Sequence, residues 1–195
     1  MPQPTPSNPL DRMRTGFNVV AFVARSFAMI CEVFMHFGFG SRYLGLHAMA
    51  GMLLIPLWAV FWPGRDPSLL LFFWFAYLLA LGAARAGIIR SIRRGDKIHS
   101  RYNGTPTLLR KRPHLNEVAV KRIVEPIVAM VGGIVLAGLV DPVLGSFLIA
   151  AGIGLLIDSN LTEAVQQARA QDTFDAMLEQ EQLAHRVRRI RGDGF

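Results

Sequence analysis

Two charged residues lie inside otherwise apolar runs of this chain, Arg85 and Glu125. Each sits a few residues from the end of its run, and the two runs flank the same basic segment. A charge surrounded by hydrocarbon finds a partner, so Arg85 and Glu125 are expected to form an intramembrane ion pair. Glu125 precedes Pro126, which loosens the local backbone, and the pair then reads either as a proton or cation site or, more simply, as a clasp between helices. Snorkelling to the headgroups is a further simple reading. His47 lies on the same side, one turn into its own run, where packing is the ordinary role of a histidine. A second constellation is Asn18, Arg25, Glu32 and His36, which fall within about 40° of one another on a helix. Arg25, Glu32, His36 and His47 are therefore a possible polar track.

Signatures of catalysis are absent. The five histidines form no HExxH pair and Cys31 is the sole cysteine, which leaves no framework for zinc and no intrachain disulfide. There is no G-x-S-x-G, no Walker loop and no dinucleotide fingerprint. Gly152-Ile-Gly154 sits in an apolar run, where packing accounts for it. No catalytic residue, metal or cofactor is expected, and the chain is not expected to be an enzyme. Acidic pairs such as Asp172/Asp175 and Glu179/Glu181 read as a solvated face.

The elements that must position these residues are long apolar runs separated by charge. Apolar residues make up 52% of the 195 and charged residues 18%, the charges being gathered at the joints. Such blocks imply surface facing lipid. Residues 1–15 carry four prolines and read as a disordered arm. Residues 16–40 are either an amphipathic helix lying in the interface with its polar stripe toward water, or a crossing helix with that stripe turned inward. The interfacial reading is favoured, because Arg25 near mid-span costs roughly 2.5–3.5 kcal/mol. Residues 43–89 form a first transmembrane hairpin, Tyr43–Trp62 and Ser68–Ile89, with Pro56 as a kink, WPGRDP as the turn, and Tyr43, Trp58 and Trp62 as interfacial aromatics. Residues 123–157 form a second, turning at Asp141-Pro142. Residues 158–195 read as an amphipathic helix with a broken apolar stripe. The fold class is all-α, a polytopic membrane protein of two helical hairpins plus an N-terminal amphipathic or fifth membrane helix and a C-terminal helix.

Between the hairpins, residues 90–122 carry ten Lys/Arg against Asp96 and Glu117, a net +8 in a chain of net +7. The positive-inside rule places this segment and the C-terminus in the cytoplasm. Arg90, Arg93, Arg94, Lys97, Arg101, Arg110, Lys111 and Arg112 are expected to meet anionic lipid headgroups. Tyr102 alone gives no aromatic interleaving, so no specific nucleic acid is expected. Asn116 before Glu117 reads as a helix cap.

Small residues recur at four-residue spacing: Ala76, Ala80 and Ala84; Ala129, Gly133 and Ala137; Ser146, Ala150 and Gly154. These faces let helix backbones approach closely, and the last two runs are expected to form a tight hairpin. Arginine outnumbers lysine 18 to 3, a bias associated with GC-rich bacterial genomes. The sequence therefore points to a non-catalytic subunit of a membrane assembly in a bacterial inner membrane, of a secretion or conjugation type, with membrane lipids and other subunits or copies of itself as partners. The alternative is a small ion or solute transporter using Arg85, Glu125 and His47.

Overall fold

The computed structural model describes residues 9–96, 100 and 102–192, with side chains from 16 to 187 apart from the gaps. The arm expected over 1–15 lies outside the described residues up to position 8. From Pro9 onward the chain is helical, proline being tolerated in a helix's first turn. Helix α1 runs Pro9–Met35, α2 Leu46–Trp58, and α3 Ser68–Arg93. Short elements follow: α4 (Thr107–Lys111) and α5 (Glu117–Ala119). Then come α6 (Glu125–Leu139) and α7 (Pro142–Gly192). The one sheet among the described residues is a two-residue antiparallel pair, β1 (His36–Phe37) with β2 (Thr105–Pro106).

The protein is mostly helical, with four helices long and apolar enough to cross a membrane: Gly16–Met35, Ser68–Arg93, Glu117–Leu139 and the span that begins at Pro142. This set differs from the expected one. Residues 16–35 qualify, whereas the expected crossing Tyr43–Trp62 does not. Its helix starts only at Leu46 and ends in a 3-10 turn, Ala59–Phe61. Residues 43–45 are spent on a loop because Tyr43 and Leu44 are held by contacts described below. The aromatics assigned to the interface also turn inward. Trp58 donates Nε1–H to Ser146 Oγ at 3.1 Å, and Tyr43 is buried.

Hairpin α2/α3 turns at Pro63-Gly64, where Gly64 has φ +81°, and Asp66 caps α3 by accepting from Ser68 N at 3.0 Å. The two helices are tied by Trp74 Nε1–H to Met52 O at 2.8 Å and Tyr77 O–H to Ala48 O at 3.0 Å. Asn116 accepts from Val118 N at 2.9 Å, the expected cap. A π turn over Val120–Val124 precedes Pro126. Proline has no N–H and its ring crowds the carbonyl four residues back, so the helix widens there.

Hairpin α6/α7 closes backbone to backbone. A Cβ at Gly145 would lie 2.3 Å from Ala137 N, and one at Gly133 2.8 Å from Gly145 O. Ala129 is buried in a cluster with Ala28 and Cys31 of α1 and Ala151 and Leu155 of α7. The Ser146, Ala150, Gly154 stripe meets different neighbours: Ser146 touches Trp58, and Gly154 lies against Ala24 and Phe27 of α1. The α7 face that meets α6 is instead Gly145, Ile149 and Gly152. On α3, Ala80 and Ala84 pack on the main core and Ala76 is exposed. That core gathers Ile30, Ile55, Leu70, Tyr77, Val143 and Phe147.

The chain divides into two units at Ser159/Asn160. The second is the distal length of α7, which continues without the break expected at 157/158 because no proline or glycine lies between Leu155 and Arg191.

Replacing Gly145 by leucine inserts a side chain where even a Cβ has no room. It is expected to cost about 3 kcal/mol, the upper end for overpacking. Gly132→Leu, where an added Cβ meets nothing within 4 Å, is expected to be near neutral. Thermal unfolding of both variants in mild detergent checks this.

Candidate functional site

The polar stripe of α1 is not turned to water. Glu32 and His36 are buried, and Arg25 is half-buried with its side chain 24% exposed. The interfacial reading with a wetted stripe is therefore corrected: the stripe packs against the other helices. Asn18, the first residue of the stripe, is the exception and is exposed.

Each buried group on the stripe has a specific partner. Arg25 Nη1 donates to Asp158 Oδ2 at 2.5 Å, and its guanidinium lies 5.0 Å from the centre of the Tyr43 ring. Planar stacking and a carboxylate together suit a guanidinium. Tyr43 donates its hydroxyl proton to Glu32 Oε2. His36 Nε2 lies 2.8 and 2.9 Å from the two oxygens of Glu125, and Nδ1 lies 2.7 Å from the carbonyl oxygen of Asn103. A carbonyl and a carboxylate only accept, so the imidazolium, with a proton on each nitrogen, is the form that satisfies both.

His36 lies one residue beyond the apolar span of α1. Burial alone pulls its pKa down, but the hydrogen bond it donates to Glu125 and the negative charges of Glu32 and Glu125 more than offset that. The net result is above the ordinary value of about 6.5.

The loop that presents Asn103 is itself knotted. Lys121 Nζ donates to Asn103 Oδ1 at 2.8 Å, Gly104 O at 2.7 Å and Glu117 Oε1 at 2.6 Å, which uses all three ammonium protons. Tyr102 donates to Glu117 at 3.0 Å and lies 4.9 Å under the Lys121 ammonium. Gly104, at φ +82°, lets the loop approach Phe37 O, where a Cβ would stand 2.9 Å away. Among the described residues no buried side-chain nitrogen or oxygen lacks a partner.

Arg85 and Glu125 do not pair. Arg85 Nη2 donates to Leu44 O at 2.6 Å, while Glu125 is taken by His36. The reason is reach: the carbonyls freed before the start of α2 lie beside Arg85, whereas α1 stands against the start of α6. His47 joins neither, its ring centre lying 5.0 Å from that of Phe22. Arg90, Arg93, Arg94, Arg110, Lys111 and Arg112 are exposed, while Lys97 and Arg101 lie outside the described residues.

The partners each lie toward one end of their own segment, and they meet the polar stripe at successive positions from Arg25 to His36. Tyr43 and Leu44 precede α2, Arg85 lies two turns before the end of α3, Glu125 opens α6, and Asp158 ends the apolar part of α7. These are the open ends of the two hairpins, the ends joined by the basic segment. Arg25 lies near the middle of Gly16–Met35, and its pairing with Asp158 explains how it is accommodated. Chemically, Glu32 with Tyr43 and Glu125 with His36 are donor–acceptor pairs that can hold a proton. Among the described residues no group of three or more His, Cys, Asp or Glu is arranged to hold a metal ion.

Sequence reasoning missed Tyr43, Asn103, Lys121 and Asp158 as parts of this layer. Asp158 was visible as the first charge after an apolar run, but it reads there as a boundary.

Asp158→Ala leaves Arg25 without its carboxylate and is expected to cost about 3 kcal/mol, whereas Arg25→Met with Asp158→Leu together recovers most of that loss. Paired unfolding measurements test this. For His36 the folded pKa is raised, so its contribution to stability is full below about 6.5, its unfolded value, and is lost as pH rises through the folded value. The difference in unfolding midpoint between the natural chain and His36→Gln is expected to shrink from pH 6 toward pH 9.

Comparison with protein-family models, with curated proteins and with solved structures finds no match.

Proposed function

We propose that this chain is a non-catalytic integral subunit of a multi-component assembly in a bacterial inner membrane, with residues 90–122 and the C-terminus at the cytoplasmic face. The proposed side follows from the net +8 of that segment set against its neutral or acidic short turns.

The observation that carries the reading is the surface of the distal helix, Asn160–Gly192, taken by itself. Val165, Phe174, Met177, Leu178, Leu183 and Val187 are each at least two-fifths exposed. At 100° per residue, Val165, Leu183 and Val187 fall within about 40° of one another, while Phe174, Met177 and Leu178 lie on the opposite side. A helix with apolar residues on two opposed faces cannot bury both on one flat surface, and exposed apolar patches of this kind mark interaction sites. Further support comes from α3, which leaves Phe72, Phe75 and Leu79 exposed, and from the polar layer, whose fully paired groups act as a clasp. The partners in this reading are other subunits or further copies of the chain. The carrier alternative loses its named cluster, since Arg85, Glu125 and His47 each engage different neighbours.

A photo-crosslinker placed at Phe174, and separately at Val187, in native membranes is expected to give discrete adducts from both faces. A lone monomer in mild detergent with no adduct from either position contradicts the proposal.

A further inference from the structure

A half-open cleft of about 490 Å³ lies between the end of α1 and the last turns of α3. Its volume is in the range of about 300–1,000 Å³ that holds small ligands. Phe34, Phe37 and Phe39 form one wall, and Ala80, Ala84 and Gly87 form the opposite floor. Phe34 and Phe37 are each 43% exposed and give the wall an apolar rim, with His36 between them also lining the cleft. At Gly87 the floor is not made small by packing within the chain, because a Cβ there would meet nothing within 4 Å. The space above it is open and greasy.

One end of the cleft is different. Ser91 lines it, and Arg94 follows one turn later, in helical register with Ala80, Ala83 and Gly87. Arg90, Arg93 and Arg94 are all exposed, with Asp96 the one acidic residue between positions 90 and 96. Among the described residues no arginine lines the slot itself, but a slot with Arg94 one turn past its end, and Arg90 and Arg93 exposed beside it, is complementary to an amphiphile with an anionic head. Arginine also suits phosphate oxygens through its fork of donors. The cleft belongs to the open end of the hairpins, at the level where α3 reaches the basic segment.

We infer that this cleft seats one acyl chain of an anionic membrane phospholipid, with its phosphate against Arg94 and its neighbours Arg90 and Arg93. The inference rests on the membrane reading and adds to it a specific site and a headgroup class. General attraction of a basic loop to an acidic leaflet needs no cleft; this site holds a single lipid and depends on the shape of the α3 floor. A neutral lipid lacks the complementary charge, and a helix from a second copy would have to bring an acidic group to the arginine end.

The experiment is native mass spectrometry of the full chain in mild detergent, titrated with phosphatidylglycerol or with phosphatidylcholine of the same acyl chains. Retention of one phosphatidylglycerol, preferred by about tenfold or more, is expected, since each basic residue beside an anionic surface changes affinity roughly fivefold. Gly87→Leu fills the floor and is expected to abolish retention of either lipid. Ala83→Leu is the second floor variant should Gly87→Leu fail to fold. Arg90→Gln with Arg93→Gln and Arg94→Gln removes the preference while leaving the slot. Ala76→Leu, on an exposed part of α3 outside the cleft, is expected to change nothing. Equal retention of the two lipids, or retention that survives the floor variants, overturns the inference. A dimer that dissociates on Gly87→Leu assigns the cleft to a second copy and overturns it too. A chain that stays soluble without detergent would sink the membrane reading itself, a separate and distinguishable outcome.

Discussion

The structure depends on burying a charged stripe without leaving any charge alone. Helix α1 carries Arg25 and Glu32 on one line, with His36 directly after its end, and a segment so marked is unstable in hydrocarbon unless each group meets a partner. Asp158, Tyr43 and Glu125 supply those partners from three other segments. The consequence is architectural: α7, the loop before α2 and the start of α6 are each tied to α1 by one polar contact. Directional contacts of this kind fix rotation and depth, which apolar packing in a membrane specifies poorly because lipid tails are as apolar as leucine.

Around that layer the packing divides by residue size. Where backbones touch, as between Gly145 and Ala137, glycine is demanded by the absence of room for a Cβ. Where a glycine has open space above it, as at Gly87, nothing inside the chain accounts for it. The difference separates small residues that build the fold from those, Gly87 and Gly132 among them, that packing within the chain does not require. The exposed apolar residues of α3 and of the distal helix are of a third kind: large side chains that the chain itself does not cover.

Much of the fold is legible in the sequence. The α3, α6 and α7 runs, both tight turns and the Asn116 cap follow from hydropathy, turn residues and local hydrogen bonding, which are properties of neighbouring positions. The short α2 was less legible, because Tyr43 to Trp62 is apolar enough to span and only tertiary contacts to Tyr43 and Leu44 hold its first residues out of the helix. The pairing of charges was the hardest to read. That Arg85 and Glu125 each need a partner is a statement about one residue in lipid; which partner each finds depends on how helices cross. His36 lies 89 positions from Glu125, and Arg25 lies 133 from Asp158. The narrow angular spread of the stripe did carry information, since a surface helix has a broad polar face. That signal favours the inward orientation, and the insertion cost of Arg25 obscured it by being reckoned for a charge without a partner.

The account turns on which group Glu125 faces. In a background with Cys31→Ala, cysteines are placed in pairs, His36→Cys with Glu125→Cys and Arg85→Cys with Glu125→Cys, and oxidative crosslinking is measured in native membranes. Closure of the first pair with little closure of the second is the result expected from a buried His36–Glu125 contact. Efficient closure of the Arg85 pair, with the His36 pair left open, would contradict the inward-facing stripe and the layer built on it.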